Sequence, residues 1–353
     1  MVSATVGTMR IGLISSIAHR TPPRDYGPWE QVASTLTEGF VARGHEVTLF
    51  ATSDSVTSAR LVGSAPTGYE EDRGLDAKVW EALHLSGAFQ RAGELDVIAN
   101  HFDFLPLSYS RLVRPPVVTT IHGFSSEKIV PVYRAFNDIG HYVAISDADR
   151  HPDLRYAATI HHGIDTAAFT PVAEPARPAY LLFLGRIHSD KGTHQAIEVA
   201  HRTGMPLKIA GIVQDEGYFE REVRPHVGSD GVEYLGSVGP RERDALLGGA
   251  TTLLHLIGFD EPFGLSVVEA LATGTPVIAT ARGSMPELID HGRTGYLVDG
   301  VDLVSQAVAA VGALDRINRA TCRAEAVARF DQERMVDAYL DLFEGIVTRR
   351  LGF

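Results

Sequence analysis

The feature that most constrains the fold is an alternation of short apolar runs with longer amphipathic segments, which occurs in two successive sets. Strands that alternate with helices predict parallel βαβ units, with ligand-binding loops at the carboxyl ends of the strands. A proline-rich segment, 171–179, separates the two sets and is interpreted as an interdomain linker. The length of 353 residues also fits two domains, each large enough to bury a core.

The predicted elements are bounded by Gly, Pro or Ser, and their apolar spacing follows the strand or the helix period. In the first set they are strands over 11–17, 46–52, 97–100, 117–121 and 142–145 and a helix over 30–43. In the second set they are strands over 180–184, 207–210, 232–235, 252–256 and 276–280 and helices over 193–203, 242–247 and 265–272. The last helix is expected to pack against a domain, because it carries apolar residues at three- and four-residue spacing: Met335, Ala338, Tyr339, Leu342, Phe343 and Ile346.

The charge balance argues against some classes of partner. With 32 basic and 44 acidic residues the net charge is −12, which is unfavourable for general binding of nucleic acid or of an anionic membrane. No apolar run approaches the ~18–20 residues of a membrane helix. A single cysteine, Cys322, excludes an intramolecular disulfide and indicates a cytoplasmic protein.

Tandem doubly wound domains are typical of dinucleotide enzymes, but the phosphate-binding motif of those enzymes is missing. No two glycines lie two residues apart, so G-x-G-x-x-G does not occur, and the Walker pattern G-x-x-x-x-G-K is missing as well. The sequence therefore argues against a nicotinamide-dependent dehydrogenase and against a P-loop phosphotransferase.

The segment FDEPFGLSVVE, residues 259–269, places Glu261 and Glu269 on either side of a Gly-Leu-Ser turn at a predicted helix start. A helix N-terminus attracts phosphate, and Gly264 has no Cβ to keep a ligand from the backbone. The two carboxylates suit the hydroxyls of a sugar or a ribose. The alternative is a plain capping box with Ser266 as N-cap and Glu269 three residues on, which leaves Glu261 unexplained.

A second group of charges lies at the same predicted sheet edge. Gly185 and Arg186 close the strand 180–184, and Lys191 and Gly192 open the next helix. Two cations beside a helix start form a plausible diphosphate clamp, whereas taken alone they are ordinary solvated loop charges.

Several motifs resemble glycosyltransferase family 4, the retaining enzymes of the GT-B fold. The most specific are FLGRIHSDKG, FDEPFGLSVVEALATGTPVIAT and GSMPELIDHGRTGYLV; YGPWEQVASTLTEGFVARGHEVTLF, VVTTIHGF, YVAISDADR and IHHGIDTAAF extend the resemblance over most of the chain. It implies an α/β fold of two Rossmann-like, doubly wound domains facing across a cleft, with a C-terminal helix that crosses back to the first domain. The expected boundaries are 1–172 for the acceptor-side domain, 173–334 for the donor-side domain and 335–353 for the returning helix.

The resemblance also implies roles for individual residues. The expected catalytic group is His122, beside the reacting sugar, with Arg186 and Lys191 at the diphosphate and Glu261 at the sugar hydroxyls. The expected donor-binding residues further include Gly27 near the diphosphate, Val238 near the base, Phe263, Gly264, Leu265 and Ser266 around the β-phosphate, and Glu269 at the ribose. One departure concerns the loop of Gly27, where the family usually has Gly-Gly and this chain has Tyr-Gly-Pro-Trp.

The reaction implied by the resemblance needs neither a metal nor another cofactor. The anomeric configuration is retained, most simply by front-face attack in which the leaving phosphate takes the proton of the acceptor. Asp147-Ala148-Asp149 matches the D-x-D metal motif of the other glycosyltransferase fold, but Ser146 and Asp147 also form an ordinary helix start.

The donor and the acceptor are less constrained. Family frequency gives a slight preference for GDP-mannose, and thus a mannosyltransferase, over UDP-glucose. The acceptor is expected at Asn100, His101 and Asp103 and around 124–128, and the acidic charge favours an oligosaccharide or a small polar metabolite over a membrane lipid. Two alternatives remain: a nucleotide-sugar epimerase of the same architecture, and a non-catalytic nucleotide-sugar-binding protein.

Overall fold

The computed structural model describes residues 7–24, 26–124, 127–229 and 231–351. The chain divides into two compact units, and the first of them is discontinuous. The second unit runs from Ile164 to Asp331, and the first unit resumes at Gln332. The first change of unit therefore comes earlier than the predicted boundary after residue 172.

The first unit is built on a seven-stranded parallel sheet with the order β3-β2-β1-β4-β5-β6-β7. Successive residues of β1 enter cores on opposite faces, so that Leu13 packs with α1 and Ile14 with α2. Its strands are β1 (Arg10–Ser15), β2 (Glu46–Ala51), β3 (Arg60–Gly63), β4 (Val97–His101), β5 (Val117–Ile121), β6 (His141–Ala144) and β7 (Tyr156–Thr159), and its first helices are α1 (Pro28–Ala42), α2 (Ala77–Gln90) and α3 (Val130–Ala135).

The second unit repeats this architecture with a six-stranded parallel sheet of order β10-β9-β8-β11-β12-β13. Its strands are β8 (Leu181–Leu184), β9 (Leu207–Ala210), β10 (Val232–Gly236), β11 (Thr252–His255), β12 (Val277–Thr280) and β13 (Gly295–Val298). Its helices are α4 (Thr193–Thr203), α5 (Glu216–Tyr218), α6 (Pro240–Gly249), α7 (Leu265–Ala272), α8 (Met285–Leu288), α9 (Leu303–Val311) and α10 (Arg319–Phe330). The segment 171–179 packs as part of this unit, since Val172 donates its N–H to the Thr273 carbonyl at 2.9 Å.

The chain ends in α11 (Gln332–Leu351), which packs on α1 within the first unit. Its apolar stripe is buried, and the Phe343 ring lies 5.6 Å from the Phe40 ring. The prediction that this amphipathic helix returns to the first domain is confirmed. Neither α11 nor any other helix in the described ranges combines the length and the apolarity needed to cross a membrane.

The predicted pattern of two doubly wound sheets is confirmed, and the strands missing from the prediction lie at the sheet edges. β3 and β7 bound the first sheet, and β13 bounds the second. An edge strand is covered incompletely, so β3 and β7 contain no fully buried residue and do not form the continuous apolar run that marks a central strand. These strands were not predicted because the prediction searched for continuous apolar runs.

Candidate functional site

Three loops of the second unit lie side by side at the carboxyl edge of its sheet. The loop 185–192 follows β8, the loop 256–264 follows β11, and the loop 281–284 follows β12. Since β11 pairs with β8 on one side and with β12 on the other, the sheet order itself makes these loops neighbours. This edge is where ligands bind in open parallel α/β sheets.

The carboxylate of Glu261 is held at this edge by two other side chains. Lys191 Nζ donates to Glu261 Oε2 at 2.7 Å, and His255 Nε2 lies 3.6 Å from the same oxygen. The Lys191 and Glu261 side chains are each only 14% exposed, and Lys191 Nζ also lies 4.5 Å from the centre of the Phe259 ring. Burial raises the pKa of Glu261, but His255 and Lys191 outweigh it and hold that pKa at about 2. The carboxylate is therefore charged at neutral pH.

Gly192 allows the loops of Lys191 and Glu261 to pack this closely. It is the N-cap of α4 with a φ of +78°, and a Cβ there would lie 1.9 Å from the Leu256 carbonyl oxygen. The two loops are also joined by a hydrogen bond, because the Gly258 N–H donates to the Asp190 carbonyl at 2.7 Å. A glycine directly after Lys191 is thus a requirement of the close approach.

The other side of Glu261 is held by the loop after β12. A Cβ on Gly283 would lie 2.4 Å from the Glu261 backbone nitrogen. The Ser284 N–H donates to the Glu261 carbonyl at 2.9 Å, and Ser284 Oγ donates to the Phe263 carbonyl at 2.5 Å. Neither Ser284 nor His255 was predicted as a site residue. The available signal was their place near the carboxyl ends of two predicted strands: His255 lies within the predicted strand 252–256, and Ser284 lies four residues after the predicted strand 276–280.

The capping-box interpretation of Ser266 is wrong. α7 begins at Leu265, its N-cap is Gly264 with a φ of +98°, and no side chain caps it. Ser266 is therefore the second residue of the helix. The left-handed backbone at the N-cap is one that glycine adopts readily and serine does not, which explains why the cap falls there. The first N–H groups of α7 thus lie beside a residue without a side chain, as expected for a phosphate site.

Glu269 lies further along α7 and is 8% exposed. Its Oε1 lies 3.4 Å from Arg243 Nη1 of α6, a partner that the sequence analysis did not identify. Burial raises the pKa of Glu269, and Arg243 offsets only part of that rise. Val238, predicted near the base, is half-buried in the loop between β10 and α6.

Arg186 and Lys191, the predicted diphosphate clamp, have protein partners in this structure. Arg186 is half-buried and donates from Nη1 to Oε1 of Gln214, while Lys191 is bound to Glu261. Both lie on the loop that follows β8, as the prediction requires. Their role toward a diphosphate stays a prediction.

His122 follows β5 in the first unit, and its imidazole packs against Trp29 of α1, a neighbour that was not predicted from the sequence. The Trp29 ring stacks on it with centroids 5.3 Å apart and an angle of 21° between the planes. Gly27, two residues before Trp29, is the buried N-cap of α1. Gly27 and His122 therefore belong to one region of the first unit.

The predicted acceptor residues lie at the carboxyl end of β4: Asn100 and His101 are its last two residues, and Asp103 lies in the loop that follows. Asn100 Nδ2 donates to the Asp103 carbonyl at 2.7 Å and to Thr119 Oγ1 at 3.1 Å, and Asn100 Oδ1 accepts from the Phe102 N–H at 3.0 Å. Burial raises the pKa of Asp103. These bonds give Asn100 a part in shaping the loop, and the acceptor role of Asn100, His101 and Asp103 stays a prediction.

Two further predictions concern other parts of the first unit. Of the predicted acceptor segment 124–128, residues 125 and 126 lie outside the described residues. In the D-x-D segment, Asp147 accepts from Thr159 Oγ1 at 2.6 Å, and the Asp149 N–H donates to Ser146 Oγ at 3.1 Å. The described residues hold no cluster of three or more His, Cys, Asp or Glu side chains placed to bind a metal.

Two family models match successive parts of the chain. "Glycosyltransferase Family 4" matches residues 29–168, and "Glycosyl transferases group 1" matches residues 166–317. A glycogen synthase from Mycobacterium tuberculosis is 27% identical over 90% of this chain and 89% of its own length. A D-inositol 3-phosphate glycosyltransferase from Mycolicibacterium smegmatis is 29% identical over 72% of this chain and 68% of its own.

Solved structures share the fold at lower identity. A sucrose-phosphate synthase from Thermosynechococcus elongatus superposes with a TM-score of 0.79 at 20% identity, covering 97% of this chain and 100% of its own. Anabaena HepE in complex with UDP-glucose gives 0.71 at 17% identity, covering 96% and 100%. These likenesses establish the fold.

Proposed function

Because the chain belongs to the family 4 and group 1 glycosyltransferases of the GT-B fold, we propose that it moves a hexose from a nucleotide-diphosphate sugar to a hydroxyl of a soluble acceptor. Family membership makes the chain a glycosyltransferase. The proposal adds four points to family membership: that the transferred sugar is a hexose, that its anomeric configuration is retained, that the acceptor is soluble, and that the protein is cytoplasmic.

The proposal that the site binds a sugar rests on one observation, the largely buried carboxylate of Glu261. Lys191 and His255 both contact Oε2, and Oε1 makes no hydrogen bond to the described residues. A carboxylate that keeps its charge accepts hydrogen bonds and donates none, so Oε1 suits a sugar hydroxyl. A hydrogen bond to a charged group contributes ~1.5–3 kcal/mol, enough to fix the orientation of a hexose.

The diphosphate is proposed to bind at the start of α7. The N–H groups of Leu265 and Ser266, next to Gly264, have no hydrogen-bond partner among the described residues, and they lie at the positive end of the helix dipole. Arg186, and Lys191 on the same loop, supply positive charge that stabilises the leaving diphosphate as its negative charge develops. With these groups present, the transfer is proposed to need no metal.

The nucleoside end is proposed to bind beside α6 and α7. Glu269 accepts hydrogen bonds from the ribose hydroxyls, and Val238 contacts the base. Arg243, which faces Glu269, keeps the buried carboxylate compensated while the site is empty. The roles of Gly27 and His122 in the first unit follow from the resemblance alone.

The experiment is a thermal-shift screen of GDP-mannose, UDP-glucose, GDP and UDP, followed by product analysis with oligosaccharide and small polyol acceptors. We expect one sugar nucleotide to stabilise the protein and to yield a product of the same anomeric configuration, with an undiminished rate in EDTA. A product of opposite configuration would contradict retention, and loss of the rate in EDTA would contradict the metal-free scheme.

The same experiment separates the two alternatives. Conversion of the donor to another sugar nucleotide without an acceptor would favour an epimerase of this architecture. Stabilisation by a sugar nucleotide, with no turnover for any acceptor, would favour a non-catalytic binding protein. The variant Glu261→Gln is the matched control for the sugar-binding part, because it keeps the shape of the side chain and removes its charge.

A further inference from the structure

Three histidines of the first unit form a continuous hydrogen-bonded chain. They come from separate elements: His101 ends β4, His122 follows β5, and His162 follows β7. His101 Nδ1 lies 3.1 Å from His122 Nε2, and His122 Nδ1 lies 3.2 Å from His162 Nε2. The central ring, His122, therefore uses both of its nitrogens within the protein.

Aromatic side chains pack on two of the three rings, and the two outer histidines are buried while His122 is half-buried. Trp29 of α1 stacks on His122, and the Tyr339 ring of α11 lies 5.7 Å from the ring of His101. His101 is 1% exposed and His162 is 5% exposed. The Tyr339 hydroxyl is occupied elsewhere, in a 2.7 Å hydrogen bond with Thr120.

These surroundings disfavour a charge on any of the three rings. Burial lowers the pKa of His101 to about 3 and that of His162 to about 3, and it lowers the pKa of His122 well below the ordinary value. Neighbouring histidines lower two of these pKa values further: His101 and His162 act on His122, and His101 and His161 act on His162.

The hydrogen bonding of neutral imidazoles fixes the order of the protons. A neutral ring has one N–H donor and one acceptor nitrogen, so His122 must donate to one neighbour and accept from the other. His101 and His162 must then follow the same direction along the chain. A second proton on His122 would place an N–H against an N–H at one of the two contacts unless a neighbour changed its tautomer.

We propose that His101 and His162 are positioning residues that keep the His122 ring uncharged and fix its tautomer and its plane. The place of this ring beside the donor sugar rests on the proposed function, whereas the chain of hydrogen bonds does not. It follows that His122 is neither a general acid nor a general base between pH 5 and pH 8. It also follows that a ligand meets the edge of this ring and not a free ring nitrogen.

The direct test is ¹⁵N NMR of the full chain with labelled histidine, titrated from pH 5 to pH 8 and assigned with single-histidine variants. We expect the three rings to show one fixed tautomer each and no titration. Movement of the His122 nitrogens with an apparent pKa in this range would overturn the proposal. This measurement needs no donor, so its outcome is independent of whether a sugar transfer is found.

The second test uses activity with GDP-mannose or UDP-glucose, whichever is turned over. In His162→Ala, His122 loses the partner of its Nδ1 and becomes more exposed to water. Its pKa should then return toward ~6.5, so about one-tenth of the enzyme keeps a neutral ring at pH 5.5. We therefore expect kcat at pH 5.5 to fall ~10-fold relative to pH 8 in this variant, with KM little changed, while the wild type stays within ~2-fold.

Conservative variants separate positioning from simple loss of packing. The Gln amide nitrogen can occupy the place of His Nε2, and the Asn amide that of His Nδ1, so His162→Gln and His101→Asn should keep the flat pH profile. His226→Ala, in the second unit, is the control for removal of a histidine elsewhere. If His162→Ala folds and its kcat has the same pH profile as the wild type, the positioning role is overturned. If that variant fails to fold, a fall of kcat at pH 5.5 in His162→Gln and His101→Asn would overturn it instead.

Discussion

The ion pair between Lys191 and Glu261 gives the sharpest prediction about stability. In Lys191→Met, the buried Glu261 keeps only His255, 3.6 Å from Oε2. The pKa of Glu261 lies at about 2 instead of 4.5, and this difference corresponds to about 3 kcal/mol of stabilisation at neutral pH. Breaking a buried pair typically costs ~3–5 kcal/mol, and the remaining His255 should limit the loss here to ~2–3 kcal/mol.

The loss of unfolding free energy in Lys191→Met should become smaller as the pH falls. The folded-state pKa of Glu261 is depressed, so its contribution is fully present above pH 4.5 and is lost as the pH falls toward 2. The difference in unfolding free energy between wild type and Lys191→Met should therefore shrink below pH 4.5, by ~1.4 kcal/mol per pH unit. At pH 7 the same loss should lower Tm by ~5–10 °C.

The assay is urea unfolding at several pH values, arranged as a double-mutant cycle with Glu261→Gln. Arg202→Met is the control, because Arg202 faces Glu198 at 3.8 Å with both side chains largely exposed, and its loss should cost less than ~1 kcal/mol. An equal cost of Lys191→Met in the wild-type and Glu261→Gln backgrounds would refute the reasoning, as would a cost independent of pH down to 3.5.

Three further predictions concern catalysis, ribose binding and backbone geometry. Arg186→Ala should lower kcat by ~10²–10³, as measured by steady-state kinetics, while the affinity for the free nucleoside, which lacks the diphosphate, stays within a few fold by calorimetry. Glu269→Gln should be at least as stable as the wild type at pH 7, because burial raises the pKa of Glu269 and its charge therefore opposes folding as the pH rises. The same variant should bind the donor ~10-fold or more weakly, as measured by calorimetry. Gly192→Ala should lower Tm far more than Gly204→Ala, although both glycines cap α4 with a positive φ. A Cβ at Gly192 would lie 1.9 Å from a carbonyl oxygen, whereas a Cβ at Gly204 would have no neighbour within 4 Å among the described residues.

Much of the fold was predictable because central parallel strands are buried on both faces. The bounds of β5, β9, α4 and α7 agree with the prediction, since apolar runs and flanking glycines mark them. The edge strand β3 was not predicted because it lacks such a run. Apolar periodicity reports burial, and it loses its signal where a strand is half covered.

The position of the candidate site in the fold was predictable from the sequence, but the contacts between its side chains were not. The order of strands and helices indicated that Lys191 and Glu261 share one sheet edge. It did not indicate that the two side chains bind each other, or that His255 joins them, because such contacts depend on distances between loops far apart in sequence. The chain through His101 and His162 was missed for the same reason: these histidines approach His122 only once β4, β5 and β7 share a sheet.

The central claim is that Glu261 binds the sugar of the donor, and a pair of affinities tests it most directly. Calorimetry on wild type and Glu261→Gln compares a sugar nucleotide with the matching nucleoside diphosphate. We predict that the substitution weakens the sugar nucleotide by ~10-fold or more and leaves the nucleoside diphosphate within ~2-fold. Equal weakening of both ligands, or of neither, would contradict a role of Glu261 in binding the sugar.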